Sequence, residues 1–98
     1  MNQNKKIYLI TYSTDIPFNS NVIYQRMNDL LHKRHITDWW YYIDNTYLVA
    51  CSLDVNELYN LIYSAINRHL LIVEINPKNA QGWLPQDAWN WINKYINF

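Results

Sequence analysis

The sequence predicts an α+β domain of the ferredoxin-like βαββαβ type, a sheet-and-helix sandwich with an extra C-terminal helix. Three observations lead there. Apolar side chains recur every second residue in short runs and at helical spacing in longer ones. The runs follow the order strand, helix, strand, strand, helix, strand, helix. The 98 residues are half hydrophobic, which suits one core and a single domain spanning 1–98.

Residues 6–12 read as the first strand, rich in β-branched and aromatic side chains. Ile7 and Leu9 point one way, and Tyr8, Ile10 and Tyr12 the other, so burial is expected on both faces. Residues 13–19 form a loop around Pro17. Asn19 or Ser20 caps a helix running to about Arg34, with Ile23, Met27, Leu30, Leu31 and the Arg34 stem on one stripe. His32, Lys33, Arg34 and His35 crowd its end, where cations complement the helix dipole. Residues 37–43 and 46–51 form a hairpin across an Asp44-Asn45 turn.

Asp54 caps the second helix, and Glu57 three residues on completes a capping box. Val55, Leu58, Tyr59, Ile62 and Ile66 make its core stripe. Residues 69–75 are the fourth strand. A polar loop from Pro77 to Gly82 precedes Trp83 and Leu84. Pro85 opens the third helix, at about 85–96. Trp83, Leu84, Ala88, Trp91, Ile92 and Tyr95 form its docking stripe, which Trp89 and Ile96 widen.

This order packs most economically as two helices on one face of a four-stranded antiparallel sheet, with strands one and three central. Those two strands are apolar on both faces. The helices between strands cover only one face, so a second copy or the third helix is expected to cover the other.

Composition narrows the function classes. Nine Tyr and five Trp supply much buried area for a short chain. A single glycine, Gly82, leaves no Gly-rich phosphate loop. The formal net charge is zero, which argues against broad, tight nucleic-acid binding and leaves room for a small local site. Cys51, the one cysteine, lies in an apolar run and is expected to be a buried, quiet thiol. Without a signal-peptide pattern or a long apolar span, a cytoplasmic location and no membrane partner are expected.

Three segments carry a family resemblance: residues 6–13 (KIYLITYS), the Trp39-Trp40-Tyr41-Tyr42 run with residues 45–49 (NTYLV), and residues 82–89 (GWLPQDAW). Together they resemble the small SinR-like proteins, which are similar in fold to the CRISPR-associated adaptation endonucleases and the virulence-associated protein D ribonucleases. The resemblance implies a ferredoxin-like fold and a homodimer. The adaptation nucleases place an Asp directly after a Tyr at the end of the first strand, and two such residues, one per subunit, share a metal. Here Ser13 follows Tyr12, and serine is a poor ligand for a hard cation. Asp15, two positions on, is the candidate metal ligand and acid–base residue if the loop bends it back. The Ser13 and Thr14 hydroxyls are candidates to hold a phosphate, against the plainer role of satisfying loop backbone. The candidate catalytic residues are therefore Asp15 and Ser13, with Mg²⁺ or Mn²⁺ as cofactor only if the chain is a nuclease.

Other chemistry is sparse. His32 and His35 stand three apart, with no carboxylate at helical ligand spacing to complete a zinc set. His69 begins the fourth strand. No Ser-His-Asp arrangement shows by spacing. Trp39, Trp40, Tyr41 and Tyr42 are suited to stacking on bases, but interleaved basic residues are missing, and packing is the stronger reading. The expected function is a non-catalytic or regulatory homodimer that binds a macromolecule. RNA or DNA is a candidate partner that the charge does not support, and a protein partner with no nucleic-acid role also fits neutral charge. The alternative is an endoribonuclease, metal-dependent or metal-independent, of the kind found in toxin systems.

Overall fold

The computed structural model describes residues 5–13, 20–33, 36–41 and 43–95, with backbone alone at 20–22. The elements are β1 (Lys6–Tyr12), α1 (Ser20–Leu31), β2 (Ile36–Tyr41), β3 (Thr46–Cys51), α2 (Val55–Ile66), β4 (Leu70–Ile75) and α3 (Gln86–Lys94), with a 3₁₀ turn at Pro77–Asn79. The sheet order is β2-β3-β1-β4, every pair antiparallel, with β1 and β3 central. This is the ferredoxin-like arrangement with α3 added.

Local chemistry explains the joints. Asn45 adopts φ 61°, a left-handed conformation that asparagine tolerates, and closes the β2–β3 turn. The capping box at α2 is present in full: Glu57 N donates to Asp54 Oδ1 at 2.9 Å, and Asp54 N donates to Glu57 Oε1 at 3.0 Å. Asn67, again left-handed at φ 51°, ends α2 by donating its amide to the Tyr63 carbonyl at 2.8 Å.

Strand alternation divides the core into two layers. Tyr8, Ile10, Tyr12, Tyr47, Val49 and Cys51 face the helix pair and pack with Met27, Leu30, Leu58 and Ile62. Tyr8 anchors this layer by donating its hydroxyl to the Leu53 carbonyl at 2.7 Å. Ile7 and Ala50 face the other way, against Trp91 and Ile92 of α3 and Tyr95 at its C-terminal end, with Trp40, Leu48 and Ile75 around them. Of the two candidates for covering the second face, it is α3 that packs there. Its far end is tied to β2 through Asp38: Tyr95 Oη donates to Oδ2 at 2.5 Å, and Lys94 Nζ reaches the same oxygen at 3.0 Å.

Several expectations need correction. The first helix stops at Leu31, because the Lys33 amide turns back to the Leu30 carbonyl and the Ile36 amide to that of Lys33, both at 3.1 Å. β2 begins at Ile36, carries an irregularity between Ile36 and Asp38, and pairs only as far as Tyr41. Ile43 belongs to the turn, where its carbonyl accepts from Thr46 N at 3.0 Å. β4 begins one residue later than expected, at Leu70, and α3 ends at Lys94. Val55 and Tyr59 are exposed, not core: the buried arc of α2 is Leu58, Ile62 and Ile66, flanked by Leu61 and Ala65. Trp83 is wholly exposed and takes no part in the docking stripe. Asn19, Arg34, His35, Tyr42 and Ile96 lie outside the described residues.

Candidate functional site

Ser13 leaves the end of β1 between two neighbouring chain segments. Its amide donates to the His69 carbonyl at 2.9 Å, while the Tyr12 amide donates to the Asn45 carbonyl at 3.2 Å. The strand end is thus clasped by the start of β4 on one side and the β2–β3 turn on the other. Ser13, Thr11, Tyr12, His69, Leu70 and Leu71 line one shallow, open depression. The His69 imidazole is exposed beside it. Ser13 and His69, distant in sequence, line this depression together, which spacing alone does not reveal. Asp15 and Thr14 fall outside the described residues.

The other described histidine is elsewhere. His32 Nδ1 lies 2.7 Å from the Asn28 carbonyl oxygen, and its ring meets Trp39 edge-on at 5.8 Å. Trp39 is on β2 and His69 beside β4, at opposite edges of the sheet. Among the described residues no three His, Cys, Asp or Glu side chains converge as a metal-binding group.

An aromatic cluster lies on the helix side of the sheet. Tyr47 stacks on Tyr41 with ring centroids 4.4 Å apart, while Tyr12 and Trp39 lie 6.3 Å and 6.2 Å from it. Tyr24 of α1 closes on Tyr41 at 5.4 Å. Burial pushes the Tyr12 hydroxyl up to about 12 and raises those of Tyr41 and Tyr47 as well. These phenols stay protonated at neutral pH, so none serves as a phenolate base. The Tyr47 hydroxyl is buried and closes no hydrogen bond of sound geometry among the described residues, although the Tyr12 hydroxyl is near enough to influence it.

A second site lies on the opposite sheet face. Between α3, the 77–84 segment and the sheet runs a groove enclosing about 170 Å³, walled by Leu9, Trp40, Ile43, Leu48, Leu84 and Trp89 among others. Its polar rim includes Thr46, whose hydroxyl donates to the Asp44 carbonyl at 3.3 Å, and Gln81, whose Oε1 accepts from Gly82 N at 3.1 Å. Val73 and Leu71 continue the same face, opposite Leu9 and Thr11 in register, and both are exposed. On the outer side of the molecule, Tyr59 and Tyr63 of α2 stack at 5.8 Å with ring planes 17° apart, and both are exposed together with Val55. Sequence reasoning missed the groove, because its walls come from four separate segments. Of the tyrosine pair, sequence reasoning placed Tyr59 on the core stripe and did not single out Tyr63.

Comparison of the chain with protein-family models, with curated proteins and with solved structures returned no match.

Proposed function

We propose that this chain is a small homodimeric binding protein of the cytoplasm, non-catalytic or regulatory, that docks a macromolecular partner. The observation that carries the reading is the apolar surface left open on two sides of the sandwich. One side presents Ile43, Leu71, Val73 and Trp83; the other presents Val55, Tyr59 and Tyr63. Exposed apolar and aromatic side chains of this kind mark interaction sites, and Tyr and Trp are the residues interfaces favour. Two such surfaces give one for self-association and one for a partner. Zero net charge favours a protein over a nucleic acid as that partner. No helix among the described residues is long and apolar enough to cross a membrane. A reducing cytoplasm suits the unpaired Cys51 thiol.

A second reading, a metal-independent ribonuclease, draws on one observation: Ser13 and the exposed His69 share the depression at the end of β1. Imidazole is the usual general acid–base group near neutral pH.

One experiment separates the two. Pure protein is incubated with labelled RNA and DNA, with Mg²⁺, with Mn²⁺ and with chelator, while light scattering reports the mass of the same sample. The expected result is a dimer and no cleavage above a mock purification. Cleavage abolished by His69→Ala or by Asp15→Ala would replace the binding reading with the nuclease one.

A further inference from the structure

We propose that the groove beside α3 is a socket for Trp83 of a second copy, the two chains exchanging these anchors across a two-fold axis. The proposal rests on the homodimer reading above and gives that dimer its interface.

The socket has the size and chemistry of an indole. It encloses about 170 Å³ behind apolar walls that include Trp40, Leu48 and Trp89. An apolar cavity of about 150 Å³ accepts a benzene ring, so a fused ring fits with its pyrrole edge at the open mouth. A buried indole N–H needs an acceptor. Gln81 Oε1 stands at the rim, accepts one hydrogen bond from Gly82 N and has a second lone pair to offer.

The anchor has the opposite character. Trp83 is fully exposed, an unusual state for the largest apolar side chain. It sits between Gln81 and Leu84, both of which line the groove. Anchor and socket therefore share one face and lie within a few residues of each other. When that is so, a two-fold rotation carries each anchor to the other socket, and the assembly closes as a dimer instead of growing into a filament.

The area is sufficient. Two reciprocal indoles with the walls they meet remove on the order of 800 Å² from water, at roughly 200 Å² per surface. Exposed Leu71 and Val73, beyond the groove walls, continue the same face. With both copies counted, they carry the total to the ~1,200 Å² at which specific interfaces begin. Zero net charge removes the like-charge repulsion that keeps many small proteins apart.

The test is sedimentation velocity of the full chain from sub-micromolar to near-millimolar concentration, for wild type, Trp83→Ala, Trp83→Phe and the socket-filling Thr46→Trp. Acrylamide quenching of Trp83, read as wild type minus Trp83→Ala, runs alongside. The expected result is a wild-type dimer, association weakened roughly thirty-fold or more in Trp83→Ala, and an intermediate loss in Trp83→Phe. Trp83 becomes shielded only as concentration rises. Thr46→Trp also dissociates the dimer; should it fail to fold, the rim variant Ile43→Asp takes its place. A Trp83→Ala protein as dimeric as wild type overturns the anchor and leaves the homodimer standing. A wild-type monomer at every concentration overturns both. Shielding of Trp83 that does not depend on concentration places the indole in its own groove and overturns the exchange.

Discussion

Asp38 shows how a single side chain fixes an element that packs far from it in sequence. Burial alone pushes its carboxyl pKa up, but hydrogen bonds from Tyr95, Lys94 and the Trp39 amide outweigh that and hold it below its ordinary value of 3.8. The sign of the linkage follows. The folded carboxyl is the stronger acid, so its contribution is complete above the ordinary value and is lost as pH falls through the lower folded value. Tyr95→Phe is expected to cost about 1 kcal/mol at neutral pH, a modest figure because the carboxylate is partly exposed. In urea melts the gap between variant and wild type should hold steady from neutral pH into mild acid and shrink below 3.8. A gap that widens in acid would mean the tie acts through packing alone. Cys51 makes the contrasting case. Burial is the main cause that raises its thiol pKa, and the residue is fully enclosed. Native protein should react with a thiol reagent about a hundred-fold more slowly than unfolded protein, or slower still. Burial of this residue was legible in the sequence, because Cys51 ends an apolar run in a central strand. The Asp38 link was not, since a carboxylate between Thr37 and Trp39 reads as a surface residue until α3 arrives above it.

At the scale of elements, the most informative contrast lies within the C-terminal segment. Trp91 is buried against Ile7 and Ala50, whereas Trp83 is bare. Trp91→Ala should therefore cost about 3–5 kcal/mol in chemical denaturation, and Trp83→Ala within about 0.5 kcal/mol at a concentration low enough to hold the chain monomeric. Equal losses would show that the 77–84 segment packs as tightly as α3. Sequence reasoning placed both tryptophans on one stripe because both precede or enter an apolar helix. The Pro85 signal marked the helix start, but nothing in the pattern showed that Trp83, two residues ahead of it, is left wholly exposed. α2 teaches a related lesson. Its capping box was readable from Asp54 and Glu57, since a cap depends on side chains three residues apart. Its buried arc was readable only in part. Val55 and Tyr59 sit at the flank of that arc, and the position of α1 and the sheet, not helical period, decides which flank is covered.

For the whole molecule, topology was the most legible property and surface the least. Alternation in β1 and β3 announced two buried faces, and α3 meets the second of them. What α3 leaves uncovered depends on its length and docking angle, which no periodicity encodes, so Leu71 and Val73 look in sequence like any other core positions of a strand. The charge balance then sets how such a surface behaves. Eight basic and eight acidic side chains cancel, so two copies approach without long-range attraction or repulsion. An interface built on Trp83, Ile43, Leu71 and Val73 gains its stability from apolar area, and apolar area responds weakly to ordinary salt. A dimer held by charged side chains would behave differently, because exposed ion pairs are screened within about 10 Å at 0.1 M salt. The dimer dissociation constant is therefore expected to change by less than about threefold between low and moderate sodium chloride, and to tighten in ammonium sulfate, which strengthens burial by exclusion from protein surface. Sedimentation equilibrium across the two salt series reads both effects. A dissociation constant that rises steeply with sodium chloride would move the interface away from the α3 groove and onto a charged surface.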